Sequence, residues 1–274
     1  MIFAWIILSK DRAFQLDALL RSMETCVHPR LPIYVFYAAT GIDHINAYFE
    51  VFSRHANLIS GVVVDKNFRQ GLSYLMAAID SERVAFLMDD QLFISPVDIH
   101  RALIFDPSQA IFSFRLGRRI TECQPMGNLS VPLPEFYDVA PPGYLAWKWA
   151  DAKGDWGCKS SLDGNIFRRS QVLKILGVQE FYGPQSLEIA LYNDMLSAEL
   201  GVCEEVPSLI NLAINRVSDE DILFPSGNQY VELLLKKWND GLQIDIKKIF
   251  SIRPNACHVI LDVPIEARNK DQVI

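Results

Sequence analysis

The first 90 residues alternate between apolar runs and segments in which apolar residues recur at helical spacing. The apolar runs lie at 3–9, 33–39, 58–65 and 83–90. Continuous runs of this length are typical of parallel strands that are covered on both faces. Between them, leucine and methionine return every three to four positions, as on one face of a helix. This alternation predicts an α/β fold with a Rossmann-like, mostly parallel sheet flanked by helices.

The second half of the chain is less regular. Residues 110–117 predict a further strand, and helices are expected around 187–195 and 231–238. The stretch 124–160 is rich in Pro, Gly and Trp and lacks clear periodicity. Long irregular segments inside a compact domain are often functional loops. Because no repeat or low-complexity linker divides the sequence, we expect a single domain.

The charge and the cysteines restrict the class of protein. A net charge of −7 argues against a nucleic-acid surface, which needs clustered cations. Five widely spaced cysteines without a CxxC pair argue against a zinc site and predict reduced thiols in the cytoplasm. No segment reaches about 18 consecutive apolar residues, so no membrane span is expected. A cytoplasmic location is compatible with peripheral contact at the inner face of the membrane.

The run FLMDDQLFIS, residues 86–95, carries an apolar segment into two adjacent carboxylates, Asp89 and Asp90. Ligands of parallel α/β sheets bind beyond the carboxyl ends of the strands. Neighbouring side chains on a strand point to opposite faces, so one carboxylate can meet a ribose hydroxyl and the other a divalent ion. The alternative is a solvated turn, since Asp is common where strands end. These residues alone leave both interpretations open.

Four segments, taken in order, resemble the GT-A glycosyltransferases, the nucleotide-sugar-dependent enzymes that include the large family 2 group. They are IILSKDRAFQLDALLRSM, RQGLSYLMAAIDSERVAFLMDDQLFIS, SLDGNIFRRSQVL and PQSLEIALYNDMLSAELG. The resemblance implies a GT-A domain over 1–262, with a nucleotide-binding half (1–100), an acceptor half (101–262) and a polar tail (263–274). It covers residues 3 to 201.

The resemblance also implies the donor site. The residues expected to bind the nucleotide sugar are Ser9, Asp11, Arg12, Asp65, Arg69, Asp89 and Asp90. The implied ligands of a divalent cation, Mn²⁺ or Mg²⁺, are Asp90, Gln91 and His258. The family's acidic triplet usually ends in a carboxylate, whereas this one ends in Gln91. Either Asp90 takes the metal, or Gln91 gives its amide oxygen, or the metal is bound weakly.

Catalysis and acceptor binding are expected in the second half. The resemblance places Glu188 as the base that removes a proton from the acceptor hydroxyl, and Asp163 in a turn that faces donor and acceptor. Trp156 and Asp155 are predicted to hold the acceptor, because sugars stack on aromatic rings and carboxylates bind their hydroxyls. The alternatives are a helix-start Glu, an ordinary Asp-Gly turn, and a tryptophan that pins the loop to the core.

Three arginines near one turn, Arg115, Arg118 and Arg119, are a further candidate for binding a diphosphate. A surface strand with salt bridges explains them equally well.

The expected activity is transfer of a sugar from a UDP- or GDP-sugar to a glycan, lipid-linked or other hydroxyl acceptor. Inversion at the sugar carbon and a role in surface polysaccharide synthesis are expected. One alternative is a sugar-phosphate nucleotidyltransferase, although LSKDRAF lacks the glycine-rich, basic loop of such enzymes. Another is a catalytically silent, glycan- or nucleotide-binding relative, which Gln91 keeps open.

Overall fold

The computed structural model describes residues 2–124, 127, 129–137, 141–193, 198–215, 217, 227 and 229–268. Its helices are α1 (Ala13–Cys26), α2 (Ile42–Arg54), α3 (Phe68–Ala78), α4 (Ile99–Leu103), α5 (Arg169–Val178), α6 (Pro184–Asn193), α7 (Val231–Asn239) and α8 (Ile246–Ile249). Its strands are β1 (Phe3–Lys10), β2 (Val27–His28), β3 (Ile33–Ala38), β4 (Ile59–Val64), β5 (Arg83–Met88), β6 (Gln91–Phe93), β7 (Val97–Asp98), β8 (Ala110–Phe112), β9 (Glu122–Cys123), β10 (Leu129–Ser130), β11 (Tyr144–Lys148), β12 (Ile166–Arg168), β13 (Leu200–Glu204), β14 (Leu209–Leu212), β15 (Leu242–Ile244), β16 (His258–Val259) and β17 (Ile265–Ala267).

The central sheet has the strand order β12–β5–β1–β3–β4. Strands β5, β1, β3 and β4 run parallel, and β12 adds an antiparallel edge beside β5. The four strands predicted in the first half are confirmed, each to within two residues at either end. The predicted α/β fold with a mostly parallel sheet flanked by helices is therefore confirmed.

Alternate residues of β1 face opposite layers of the core. Phe3, Trp5 and Ile7 pack with α1, α2 and α7, whereas Ile6 and Leu8 pack with α3 and α5 on the other face. Every one of these side chains is almost fully buried. A strand covered on both sides must be apolar at every position, which explains the continuous run in the sequence.

The run FLMDDQLFIS, residues 86–95, contains the end of one strand, a turn and a second strand. Strand β5 ends at Met88, Asp89 and Asp90 form the turn, and β6 pairs antiparallel with β14. Strand β14 also pairs with β16 in this second, three-stranded sheet. The two carboxylates therefore lie where the chain leaves the central sheet and enters a smaller one.

The second half departs from the sequence prediction in three places. The strand expected over 110–117 is confined to β8, and the irregular stretch contains β11, which pairs antiparallel with β13. Of the expected helix around 187–195, α6 begins earlier, and Met195 lies outside the described residues.

The predicted tail begins too early. Strand β17 lies at residues 265–267 and pairs antiparallel with β15. Backbone pairing therefore continues past residue 262, while residues 269–274 lie outside the described part of the chain.

No helix among the described residues combines the length and the apolar character needed to cross a bilayer.

A buried carboxylate joins α1 to α2. Asp17 is fully buried, and its side-chain oxygens lie 2.8 Å from Arg21 Nε, 3.0 Å from His55 Nε2 and 3.3 Å from Arg54 Nε. Burial alone would raise the pKa of Asp17, but the hydrogen bond with His55 and the arginine charges lower it to about 2. Arg21 also donates to the carbonyl of Ile244, which extends the network to β15.

We expect Asp17→Asn to lower the free energy of unfolding at neutral pH by about 3–5 kcal/mol, because it leaves buried cations without a counter-ion. The folded-state pKa lies below the unfolded value of about 4, so this contribution is full above that value and disappears as the pH falls toward 2. Urea unfolding across this pH range measures both effects. The control is Glu24→Gln, which removes an exposed pair with Arg30 worth under about 1 kcal/mol. Equal losses in the two variants would contradict the prediction.

Candidate functional site

A cleft of about 1140 Å³ opens at the carboxyl ends of β1, β3, β4 and β5. One wall carries residues that follow these strands, among them Lys10, Asp65 and Asp89. Further lining residues, Asp163 and Glu188, come from the turn before β12 and from α6. The fold thus brings residues from both halves of the sequence to the edge where α/β sheets bind ligands.

Asp89 is held entirely by protein donors. Its Oδ2 accepts hydrogen bonds from Ser9 Oγ at 2.8 Å and from the backbone N–H of Lys10 at 3.2 Å, and its Oδ1 accepts from Arg12 Nη1 at 3.0 Å. Because the single hydroxyl proton of Ser9 goes to Asp89, the Tyr48 hydroxyl donates to Ser9 Oγ at 2.6 Å. Asp89 and Ser9 therefore lie in the predicted cleft but hold one another in place.

The Arg12 guanidinium lies between the two carboxylates of the turn. Its Nη1 contacts Asp89 and also Asp90 Oδ2 at 2.9 Å, while its Nη2 donates to the carbonyl of Asn215. The other oxygen of Asp90 accepts from Asn211 Nδ2 at 3.0 Å. Burial opposes the charge of Arg12, but the two carboxylates outweigh it and raise its pKa above the ordinary value. Arg12 is therefore a permanent buried cation.

Carboxylates crowd around Asp90. Burial raises the pKa of Asp90 to about 7, and the charges of Asp89 and Asp163 add to this effect against the opposing charge of Arg12. This part of the cleft therefore carries more negative than positive charge.

Asp11 lies behind the wall of the cleft. It adopts a left-handed backbone conformation with φ 54°, which Asp tolerates better than most residues. Its Oδ1 accepts from the backbone N–H of Thr40 at 2.8 Å and lies 3.8 Å from His44 Nδ1. Asp11 thus joins the turn after β1 to the turn after β3 and is not part of the cleft lining, and its contact with the nucleotide stays a prediction.

Asp65 and Arg69, predicted for the same ligand, lie in different places. Asp65 lines the cleft, where burial raises its pKa against the opposing charge of Lys10. Arg69 lines a neighbouring cavity of about 620 Å³, which shares Asn67, Phe68 and Tyr182 with the cleft. It donates to Glu180 Oε1 at 2.5 Å and lies over the ring of Phe181, and its contact with the donor stays a prediction.

Asp163 faces the cleft from the turn before β12. Its Oδ1 accepts from Gln91 Nε2 at 2.5 Å, and its Oδ2 lies 3.8 Å from His258 Nε2. The next residue, Gly164, has φ +78°, and a Cβ there would collide with Leu209. Only glycine fits this turn, so the Asp-Gly pair fixes where the carboxylate points.

The implied divalent cation does not fit the residues present. Both oxygens of Asp90 accept hydrogen bonds from nitrogen donors, and Gln91 Oε1 accepts from the backbone N–H of Met88 at 3.1 Å. His258 faces Asp163 rather than Asp90. Within the described part of the chain, no group of three or more His, Cys, Asp and Glu side chains is arranged to hold a metal ion.

Glu188 lies in the cleft one turn into α6. Its Oε1 accepts from the backbone N–H of Leu162 at 2.7 Å. Burial raises the pKa of Glu188 to about 7, and the nearby charge of Asp163 contributes in the same direction. The helix begins at Pro184 and carries no acidic residue in its first turn, so a simple interaction with the helix dipole does not account for Glu188.

Arg115 pairs with Asp155 in the interior, whereas Arg118 and Arg119 lie on the surface. Arg115 and Asp155 are both buried in the floor of the cleft, with Nη1 and Oδ1 2.6 Å apart. Arg118 is exposed and pairs with Glu205, and Arg119 is exposed as well. The three arginines therefore form no common diphosphate site, and Asp155 is positioned by Arg115.

Trp156 belongs to the core. Its side chain is 1% exposed, its indole Nε1 donates to the carbonyl of Ile120, and its ring lies 4.8 Å from that of Trp147. A sugar cannot reach either face, so the prediction that Trp156 stacks on the acceptor is wrong. The exposed aromatic residue in the cleft wall is Tyr182, at 79% exposure.

Sequence reasoning missed Asn211, Asn215 and Tyr182, which all line the cleft. A signal for the two asparagines exists in LINLAIN, where polar residues interrupt an apolar strand. A buried amide in such a run needs a partner, and here the partners are Asp90 and Gln15. Tyr182 carries no comparable signal.

Comparison with known proteins finds only structural similarity at low sequence identity. No protein-family model matches the chain, and no curated protein matches it. Among solved structures it is similar to S. aureus TarS, with a TM-score of 0.49, 13% identity, and coverage of 81% of this chain and 36% of TarS. For TarS 1-349 in complex with UDP the TM-score is 0.48 and the identity 14%, with coverage of 75% of this chain and 58% of that protein. For TarS 1-349 in complex with UDP-GlcNAc the TM-score is 0.45 and the identity 13%, with coverage of 74% of this chain and 59% of that protein.

The chain thus spans under two thirds of the solved proteins that it resembles. At these scores and identities the similarities assign neither a family nor a substrate to it.

We expect Trp156→Ala to lower the free energy of unfolding by about 3–5 kcal/mol, because it opens a large cavity in the core. Tyr182→Ala is the matched control and should change stability by less than about 0.5 kcal/mol, since its ring is exposed. Chemical denaturation of both variants measures the difference. A near-neutral effect of Trp156→Ala on stability would contradict a core role for this residue and restore it as a candidate contact for the acceptor.

Proposed function

We propose that this protein is a glycosyltransferase that moves a sugar from a UDP- or GDP-sugar to a hydroxyl acceptor, such as a glycan, with inversion. The observation that carries the proposal is Glu188, a carboxylate with a pKa raised to about 7 in a cleft at the strand ends. A general base works best when its pKa lies near the working pH. Across the same cleft lie Ser9, Asp65 and the Asp89–Asp90 turn, where the nucleotide is proposed to bind.

The charges of the cleft suggest where each substrate lies. Four Lys or Arg and six Asp or Glu residues line it. Lys10 and Lys66 lie at the ends of β1 and β4, whereas Asp163 and Glu188 come from the turn before β12 and from α6. We propose that the diphosphate lies beside the two lysines, because Asp89 and Asp90 already offset the charge of Arg12, and that the neutral acceptor lies beside Asp163 and Glu188.

In the proposed reaction, Glu188 accepts the proton of the acceptor hydroxyl while that oxygen attacks the anomeric carbon of the donor. The bond from this carbon to the diphosphate oxygen breaks, and the nucleoside diphosphate leaves with the electron pair. Burial and the negative charge of Asp163 keep the pKa of Glu188 high, and Tyr182 offers a ring on which an acceptor sugar stacks.

The donor site is tested by titration calorimetry with UDP and GDP. We expect one of them to bind, and Asp65→Asn to weaken that binding about tenfold, as for loss of one hydrogen bond worth about 1.4 kcal/mol. Asp43→Asn, an exposed change in the first turn of α2, is the control. Binding of a glycan without binding or turnover of any nucleotide sugar would instead support a silent glycan-binding protein.

The base is tested with Glu188→Gln, which keeps the size of the side chain but removes its basicity. Transfer should slow by about 10²–10⁴-fold while nucleotide affinity is retained. The wild-type rate should rise with pH through about 7, since only ionised Glu188 accepts a proton, and the variant should lack this rise.

Glu180→Gln, on an 86% exposed side chain, controls for the loss of one charge. Tyr182→Ala should raise the KM for the acceptor without changing kcat. An unchanged rate in Glu188→Gln would make Asp163 the candidate base.

A further inference from the structure

The cation position at the acidic turn is occupied by a side chain of the protein. Arg12 Nη1 lies 3.0 Å from Asp89 Oδ1 and 2.9 Å from Asp90 Oδ2, so one nitrogen bridges the two carboxylates. Arg12 and Asp89 have 8% and 2% of their side chains exposed, and Asp90 has 10%. Bridging of two carboxylates by one buried positive group is the role that a divalent ion has in an acidic metal site.

Protein donors engage every carboxylate oxygen of the turn. Each oxygen of Asp89 and Asp90 accepts at least one hydrogen bond from Ser9, Lys10, Arg12 or Asn211. The amide oxygen of Gln91 accepts from the backbone of its own turn. A divalent ion would have to displace a buried guanidinium and break several of these bonds.

Arg12 is also fixed from behind. Its Nη2 donates to the carbonyl of Asn215, and its backbone N–H donates to the Tyr48 hydroxyl at 3.1 Å. The Asn215 side chain is itself held by Gln15 Nε2 at 2.8 Å. The guanidinium is therefore anchored to the segment that follows β14 and to the two carboxylates, while the backbone of Arg12 is anchored to α2.

We propose that Arg12 is the built-in counter-cation of the Asp89–Asp90 turn, so that the cleft accepts its anionic ligand without a divalent metal ion. The part of this inference that concerns the nucleotide rests on the proposed function. Arg12 acts as a positioning residue that offsets part of the negative charge of the turn, because its Nη1 and Nη2 already donate to protein oxygens.

The first test uses Mn²⁺ alone. Titration calorimetry and thermal melting of the wild type should show no Mn²⁺ binding and no shift of Tm, whereas Arg12→Ala should bind Mn²⁺ in the vacated position and melt higher when it is present. Mn²⁺ binding by the wild type that Asp90→Asn abolishes would overturn the inference, whatever the nucleotide results. Folded Arg12→Ala that binds no Mn²⁺ would equally show that Arg12 does not hold a cation position.

The second test adds UDP or GDP, whichever binds. Wild-type affinity should agree within about twofold between EDTA and Mn²⁺, whereas Arg12→Ala should lose tenfold or more in EDTA and recover with Mn²⁺. A strong Mn²⁺ requirement in the wild type would overturn the inference. If neither nucleotide binds under any condition, the proposed function fails while the Mn²⁺ measurement still decides the role of Arg12.

If Arg12→Ala does not fold, Arg12→Lys replaces it. Lys keeps the charge but loses the planar fork of donors, so weakened nucleotide binding without a gain of Mn²⁺ binding is expected. A Lys variant that binds Mn²⁺ at Asp90 would contradict the proposal.

Discussion

The contact between Arg12 and the Asp89–Asp90 turn joins the fold to the site. Three segments far apart in sequence meet there: the end of β1, the end of β5, and Asn215 beyond β14. Burying these charges is unfavourable unless each is paired, and removing one partner of such a group typically costs about 3–5 kcal/mol. The ends of the two sheets are therefore held in register by the same interaction that shapes the cleft.

The excess of carboxylates in the cleft has opposite effects on stability and on chemistry. Burial and Asp163 raise the pKa of Glu188 to about 7, so its ionised form is less stable in the folded protein than in the unfolded chain. Between its ordinary pKa and about pH 7, rising pH therefore removes stability from the fold. The same shift makes Glu188 a better proton acceptor at neutral pH. Strained or destabilised groups of this kind are common at functional sites.

The sequence predicts the central sheet better than it predicts the site. Strands β1, β3, β4 and β5 are buried on both faces, so the apolar runs alone place them to within two residues. The sequence does not predict that β6 begins a second sheet directly after the turn at Asp89, because the partner of β6 is β14, about 120 residues later. Local pattern contains no information about such pairing.

The local sequence pattern also does not predict which side chains are accessible to solvent. Trp156 and Tyr182 are both aromatic residues beside glycines, yet one is 1% exposed and the other 79%. The difference arises from Trp147 and Ile120, which enclose Trp156 and satisfy its indole N–H. Asp11 and Arg69 likewise have the right residue types near the right strands. Asp11 bonds instead to Thr40, and Arg69 pairs with Glu180 beside a neighbouring cavity.

Gln91, the departure from the acidic triplet, follows from its surroundings in this fold. Its Nε2 donates to Asp163 Oδ1 and its Oε1 accepts from the backbone of Met88, which uses both ends of an amide. A carboxylate in its place would have no N–H for Asp163 and would set a second negative charge against it. Because burial and the charge of Asp163 already raise the pKa values of Asp90 and Glu188, a further carboxylate would be strongly unfavourable without an added cation. The amide at position 91 and the guanidinium at position 12 are therefore linked features, since each holds carboxylates of the cleft through hydrogen bonds from its own nitrogen atoms.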